Sequence, residues 1–310
     1  MRPLERLALA AALMLAPCAG AQTPVVSEHV IPASYPEGPL WRGDRLFYAE
    51  MGADRISVYE NGRSRAFFTQ RGCGPTAIAP YGEGFLVLCH IGARVVSIDA
   101  HGAMLHAWGR DENGHRLRDP NDAYADGRGG VFFSDPGAFS KLAEPEGYVM
   151  HLSAEGRLTR ASGVLWYPNG VYVDAGRQVV YVDEHMTGRV LQYDLARNGA
   201  LTNQRIFVDI NRVPRPQRYE EPYRETGCDG LEMSADGDLW VSIYGEGRIL
   251  RFSPQGRLVG MLEEPTRYLT NIAFNARGDA ATTGAFDNDT PPFPGQVRIH
   301  PASSLTRRPE

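Results

Sequence analysis

Four oxygen-bearing side chains each stand first in short stretches of similar sequence. They are Glu37 before Gly38-Pro39-Leu40-Trp41, Asn121 before Asp122-Ala123-Tyr124, Asn169 before Gly170-Val171-Tyr172-Val173, and Asp229 before Gly230-Leu231-Glu232-Met233. Two more stretches of the same shape begin at Thr76 and Asn271. Brought to one point, Glu37, Asn121, Asn169 and Asp229 make an all-oxygen set of two carboxylates and two amides, with no paired His or Cys. Hard cations take such donors, and Ca²⁺ accepts an irregular, water-completed shell better than Mg²⁺ does. Zn²⁺ ordinarily takes His or Cys, so Zn²⁺, like Mg²⁺ and Mn²⁺, ranks below Ca²⁺ here. Taken singly, Asn169-Gly170, Asp229-Gly230 and Pro120-Asn121-Asp122 read equally as turns. Four oxygens at one phase of four repeats favour the metal site.

The repeats also say what must position these residues. The steps between Glu37, Thr76, Asn121, Asn169, Asp229 and Asn271 are 39, 45, 48, 60 and 42 residues. Each leading stretch is followed by a Gly-containing turn and a β-branched or aromatic run, such as Arg45-Leu46-Phe47-Tyr48 or Asp238-Leu239-Trp240-Val241. A strand-turn-strand period of this size predicts an all-β, six-bladed β-propeller, in which equivalent positions of every blade converge on a central channel. Turns such as Glu60-Asn61-Gly62 and Ser253-Pro254-Gln255-Gly256 follow alternating runs, which predicts half-buried antiparallel pairs. The run from Val25-Val26 to His29-Val30-Ile31 is expected to add the outer strand to the last blade, beside Gln296-Val297-Arg298-Ile299. That overlap removes exposed sheet edges. Two long connections, Val213 to Gly227 and Trp108 to Pro120, lead into Asp229 and Asn121, and read as lids or as surface decoration.

Residues 1–21 have a basic start, an apolar run Leu7 to Leu15 and a small-residue site at Ala19-Gly20-Ala21. This is the pattern of a cleaved signal peptide, with residues 22–310 as a single mature domain exported to the periplasm or medium. The apolar run is too short to span a bilayer, and no later segment approaches the required length. The full sequence carries a net charge of −5. Removing Arg2, Arg6 and Glu5 leaves −6, which gives no reason to expect nucleic acid or an anionic membrane as partner. Cys73 and Cys89 flank one hairpin and could pair, leaving Cys228 free. The preferred reading is that all three are small, buried, unpaired residues.

The start Glu37-Gly38-Pro39-x-Trp41, with Pro120-Asn121-Asp122, Phe132-Phe133-Ser134-Asp135-Pro136, Tyr167-Pro168-Asn169-Gly170 and Cys228-Asp229-Gly230, resembles the SMP-30/gluconolactonase/LRE-like family. The resemblance implies a six-bladed propeller with one divalent ion, usually Ca²⁺, in its channel. It maps ligation onto Glu37, Asn169 and Asp229, with Asn121 as a fourth ligand or a substrate contact. It further implies hydrolysis of lactones, sugar lactones above all, with a small molecule as the partner. On that chemistry the ion polarises the carbonyl, and Asp229 acts as general base toward water or as the nucleophile.

Further substrate contacts are expected among His90, Asp135, Asn271 and Asp119, with Glu50, Glu184, His185 and Tyr244 at other strand ends near the channel. Some sugar-lactone members carry a basic residue where this chain has Asp119, which leaves the substrate open unless Arg116, Arg118 or Arg224 compensates. Two other functions fit the same scaffold. One is phosphotriester hydrolysis; the other is a non-catalytic binding propeller that its metal makes rigid.

Overall fold

The computed structural model describes residues 29–215, 219 and 221–305. The expected signal peptide 1–21, Val25-Val26, and residues 216–218 and 220 of the long connection lie outside the described residues. The fold is all-β, with 24 strands and three short 3-10 turns among the described residues. Four sheets have four strands each, and every pairing within them is antiparallel. Their first strands are Pro36–Arg42, Pro75–Tyr81, Ala123–Ala125 and Pro168–Asp174. The remaining eight-stranded sheet has two halves, beginning with Gly227–Met233 and Tyr268–Phe274, joined only at the pair Tyr244 and Tyr268. His29–Ser34 pairs antiparallel with Pro294–His300, His29 opposite Ile299 and Ser34 opposite Pro294.

The first strand of each unit lies beside the first strand of the next, and Tyr268–Phe274 lies beside Pro36–Arg42. Side-chain packing follows the same order. Phe47, Ile56 and Val58 pack with Ile78, Phe85 and Val87, and the pattern continues to Trp240 and Ile249 with Leu269 and Ile272. Ile31, Ala281 and Val297 then pack against Leu46 and Tyr48, so the sequence of contacts returns to the first sheet. Burying both faces of each sheet corrects the expected half-buried strands. Arg94–Ile98 is buried from Val95 to Ile98, because a neighbouring sheet covers each face. Only outer strands such as Met104–Trp108 are largely exposed.

Cys73 and Cys89 form a disulfide, which corrects the reading of three unpaired thiols; Cys228 is free and buried. The bond joins the residues just before Thr76 to those just before His90, so it clamps two positions that meet at the channel. No helix among the described residues is long and apolar enough to cross a membrane.

A loop closed over a sequence separation of 16 contributes about 3 kcal/mol by restricting the unfolded chain. The Cys73→Ala/Cys89→Ala form of residues 22–310 should lose roughly that stability in urea. Thiol titration of the parent in denaturant should find one reactive cysteine before reduction and three after it. Three before reduction would show that the bond is not made.

Candidate active site

The first strands are not regular. Hydrogen-bond register shifts between Glu37 and Leu40, Pro75 and Ala77, Pro168 and Val171, Cys228 and Leu231, and Leu269 and Asn271. A bulge of this kind re-aims a side chain where pairing is interrupted, and here five of them fall at the leading residues of the repeats. Close approach of the strands then demands glycine. A Cβ on Gly38, whose φ is +37°, would run into the Thr76 carbonyl, and one on Gly230 would run into the Asn271 amide.

The structure brings Glu37, Thr76, His90, Asn121, Asn169 and Asp229 together on one cavity of about 200 Å³. Glu37 is 7 %, Asn121 7 %, Asn169 3 % and Asp229 4 % exposed, so the four oxygen donors are taken from solvent. Burial pushes both carboxyls well above the usual range. The Asp229 charge raises Glu37 further, and the Asp122 charge raises Asp229. The Gly230 N–H, at 3.0 Å from Asp229 Oδ1, and the Asn169 side chain oppose the shift at Asp229. Among the described residues no arginine or lysine lines the cavity. Asn169 Oδ1 is buried without a hydrogen-bond partner among the described residues.

Two buried carboxylates without a protein cation, next to an orphaned amide oxygen, fit a hard divalent ion. Among the described residues no three His, Cys, Asp or Glu side chains form a metal-binding group by themselves, so the amides would have to complete the set. His90 also suits the cavity. Burial lowers its pKa against the backbone at Asp119 and Pro120, and its Nδ1 has no partner among the described residues.

Other expected contacts lie elsewhere. Asp119, Asp135 and Asn271 are not among the residues lining this cavity. Asp135 Oδ1 accepts from the Arg118 and Asp119 N–H groups, each at 3.0 Å, and Asp119 Oδ1 accepts from Gly137 N at 2.7 Å, so both carboxyls hold the chain leading to Asn121. Asn271 Nδ2 donates to Asp122 Oδ1 at 3.0 Å, and its Oδ1 accepts from Ile272 N. Glu50 is engaged by Arg55, Ser57 and the Ser34 N–H. Glu184 is engaged by Thr187 and the Trp166 N–H. His185, its pKa lowered to about 4 by burial, donates from Nε2 to Glu225 O at 2.6 Å.

The sequence reading does not name the walls. Tyr35, Met51, Phe139 and Tyr167 line the cavity with Tyr244. Tyr35 and Tyr167 precede Glu37 and Asn169 by two residues, and both sit in the left-handed region at φ +45° and +53°. A tyrosine two places before a ligand in two repeats is a signal that could have found them. A second cavity of about 230 Å³ is lined by Asp122, Tyr124, Glu232 and the apolar remainders of the first strands. There burial raises Asp122 to about 6 and Glu232 to about 8, while Tyr124 donates to Glu232 Oε1 at 3.1 Å.

Residues 35–283 match the SMP-30/Gluconolactonase/LRE-like region. Lactonase drp35 of Staphylococcus haemolyticus is 24% identical over 234 residues, which cover 73% of this chain and 65% of that protein. The chain thus spans less than two thirds of that lactonase. A gluconolactonase of Xanthomonas campestris superposes with a TM-score of 0.67 at 24% identity, over 86% of each chain. Regucalcin, a calcium-binding protein of Agrobacterium tumefaciens, superposes with a TM-score of 0.66 at 16% identity, over 87% of this chain and 92% of that one. At these identities the two structures speak to the fold alone.

Burial raises Asp122 to about 6, Asp119 to about 7 and Glu232 to about 8. A carboxyl with a raised folded pKa binds its proton more tightly when folded. The stability it contributes is full below about pH 4 and is lost as pH rises through the folded value. In chelator, the thermal midpoint of residues 22–310 should therefore fall steadily between about pH 5 and pH 8.5. A flat or rising midpoint in calorimetry across that window would refute the buried, protonated state of these groups.

Proposed function

The chain belongs to the SMP-30/gluconolactonase/LRE-like family, and from that premise we propose that it is a metal-dependent hydrolase that opens a lactone ring. The observation that carries this reading is the meeting of Glu37, Asn169 and Asp229, from the first strands of three units, with Asn121, two residues before a fourth such strand, on one cavity. Glu37, Asn169 and Asp229 would hold the ion, with Asn121 as a fourth ligand or a substrate contact. Ca²⁺ is the ion best matched to two carboxylates and two amides. When bound, it supplies Lewis-acid polarisation of the ester carbonyl.

Asp229 takes a proton from the attacking water as the water oxygen bonds to the carbonyl carbon. It returns that proton to the ring oxygen as the C–O bond breaks, leaving a hydroxy acid. The Asn169 side chain favours the charged form of the Asp229 carboxyl, against the effect of burial. Burial favours the neutral form of His90, in which its buried Nδ1 can accept a hydrogen bond from water or substrate. Direct attack by Asp229 on the carbonyl is the rival route on the same residues.

The proposal includes an architecture of six four-stranded blades over residues 22–310. It draws on the return of the packing order to the first sheet and on the pairing of His29–Ser34 with Pro294–His300. It also includes export on a cleaved segment 1–21, which rests on the sequence pattern there.

Purified residues 22–310 should hydrolyse a small lactone in Ca²⁺ and lose that activity in chelator. Asp229→Asn should lower kcat by roughly 10²–10⁴-fold, while a Ca²⁺-induced rise in thermal midpoint persists. Lactone turnover that Asp229→Asn leaves unchanged would remove Asp229 from the reaction. Full activity in chelator would remove the ion. Turnover of a phosphotriester without any lactone turnover would replace the substrate.

A further inference from the structure

Resting on the lactonase reading, we infer that this site takes a neutral lactone bearing an alkyl or aryl substituent in preference to a polyhydroxylated sugar lactone. Around the four oxygen donors the cavity is walled by Tyr35, Met51, Phe139, Tyr167 and Tyr244. The rings support one another. Phe139 lies 5.0 Å from Tyr167 and 6.0 Å from Tyr244, centroid to centroid, and His185 contacts all three. Tyr223 and Tyr268 extend the cluster behind Tyr244.

Apart from His90 Nδ1 and Asn169 Oδ1, which have no partner among the described residues, several polar atoms of the lining are already engaged. The Tyr35 and Tyr244 hydroxyls bond each other at 2.7 Å, and Asn288 Nδ2 donates to Tyr244 at 3.1 Å. Thr76 Oγ1 donates to Pro120 O at 3.1 Å. A sugar lactone brings a hydroxyl on nearly every ring carbon, and a hydroxyl buried without a partner is costly. A hydrocarbon substituent against the same rings gains from its own burial and from aromatic contact.

The surroundings continue this chemistry outward. Ile91, next to His90, is 65 % exposed, and Leu142, on the connection that carries Phe139, is 79 % exposed. Trp166 precedes Tyr167 and is also among the exposed large apolar residues. Among the described residues, Lys141, Arg118 and Arg224 each have a partner outside the cavity lining. Lys141 Nζ donates to Thr226 O at 2.8 Å, Arg118 pairs with Glu146, and Arg224 lies 3.6 Å from Glu225. With a divalent ion balanced by Glu37 and Asp229, the site keeps no surplus positive charge. Neutral, apolar substituents are what remain.

Two six-membered lactones separate the alternatives: δ-decalactone, with a pentyl chain, and glucono-δ-lactone, with hydroxyls. For residues 22–310 in Ca²⁺, kcat/KM should be at least about tenfold higher for δ-decalactone. Phe139 is 38 % exposed, so Phe139→Ala should fold, and should lower the δ-decalactone value about tenfold while leaving glucono-δ-lactone within about threefold. Glucono-δ-lactone turned over as well or better would overturn this inference and leave the lactonase reading standing. Equal losses for both substrates in Phe139→Ala would also overturn it, by showing a general packing effect. Turnover of neither would overturn the lactonase reading itself, and this inference with it.

Discussion

Glu37 and Asp229 are buried in one cavity that no arginine or lysine among the described residues lines, and the rest of the structure has to bear that cost. Burial is the larger cause of the upward shift at both carboxyls, and acidic neighbours add to it. Moving an ion of this size out of water costs several kcal/mol even after the surroundings relax. A chain selected for stability alone would put leucine there. Six packed clusters between sheets, most of their members fully buried, make up for a site that works against folding. The same electrostatics define what the cavity accepts. Both carboxyls hold their protons more tightly there than in water, and Asn169 Oδ1 is left without a partner among the described residues.

Local devices bring those side chains together. Bulges at the head of five first strands turn the leading residue toward its neighbours. Gly38 and Gly230 let adjacent strands approach at the positions just after two of the donors. The disulfide fixes the strand entering at Thr76 to the strand leaving at His90. Tyr35 and Tyr167 adopt left-handed backbone conformations that cost a bulky residue of order 1–3 kcal/mol each. Both are cavity walls, and both stand two residues before a candidate ligand. Strain at matching positions of two repeats, beside the donors, is where a functional constraint would be expected to override backbone preference.

The phase of the repeats was legible in the sequence, because the first strand of each unit lies beside the first strand of the next and brings the leading residues together. Glu37, Asn121, Asn169 and Asp229, picked by that phase, line one cavity. The roles of Asn271, Asp119 and Asp135 were not legible, since position says where a side chain begins and not which hydrogen bond it makes. Asn271 occupies the right phase, yet its amide lies against Asp122. Asp135 holds the Arg118 and Asp119 N–H groups of the approach to Asn121, and the Asp119 carboxyl ties that approach to the Gly137 N–H. Pairing of Cys73 with Cys89 depends on two strand ends meeting in space, which a hairpin allows and does not require. The aromatic walls were hidden because tyrosine and phenylalanine in a β-rich chain are most simply read as core.

Asp122 shows how tightly the two cavities of the channel are tied together. It follows Asn121 in the chain, yet it lines the second cavity while Asn121 lines the first. Its Oδ2 accepts from the Val171 N–H at 2.9 Å and its Oδ1 from Asn271, so one carboxyl fastens three first strands. Its charge raises Glu37, Asp183, Asp229 and Glu232 alike. A group with those contacts cannot be exchanged for a neutral one without loosening the strands, nor ionised without raising the proton affinity of its neighbours. Positioning and electrostatics at this site are therefore one constraint. The four oxygen-bearing side chains line one cavity, and a further acid that lines the other holds two of the neighbouring first strands beside its own.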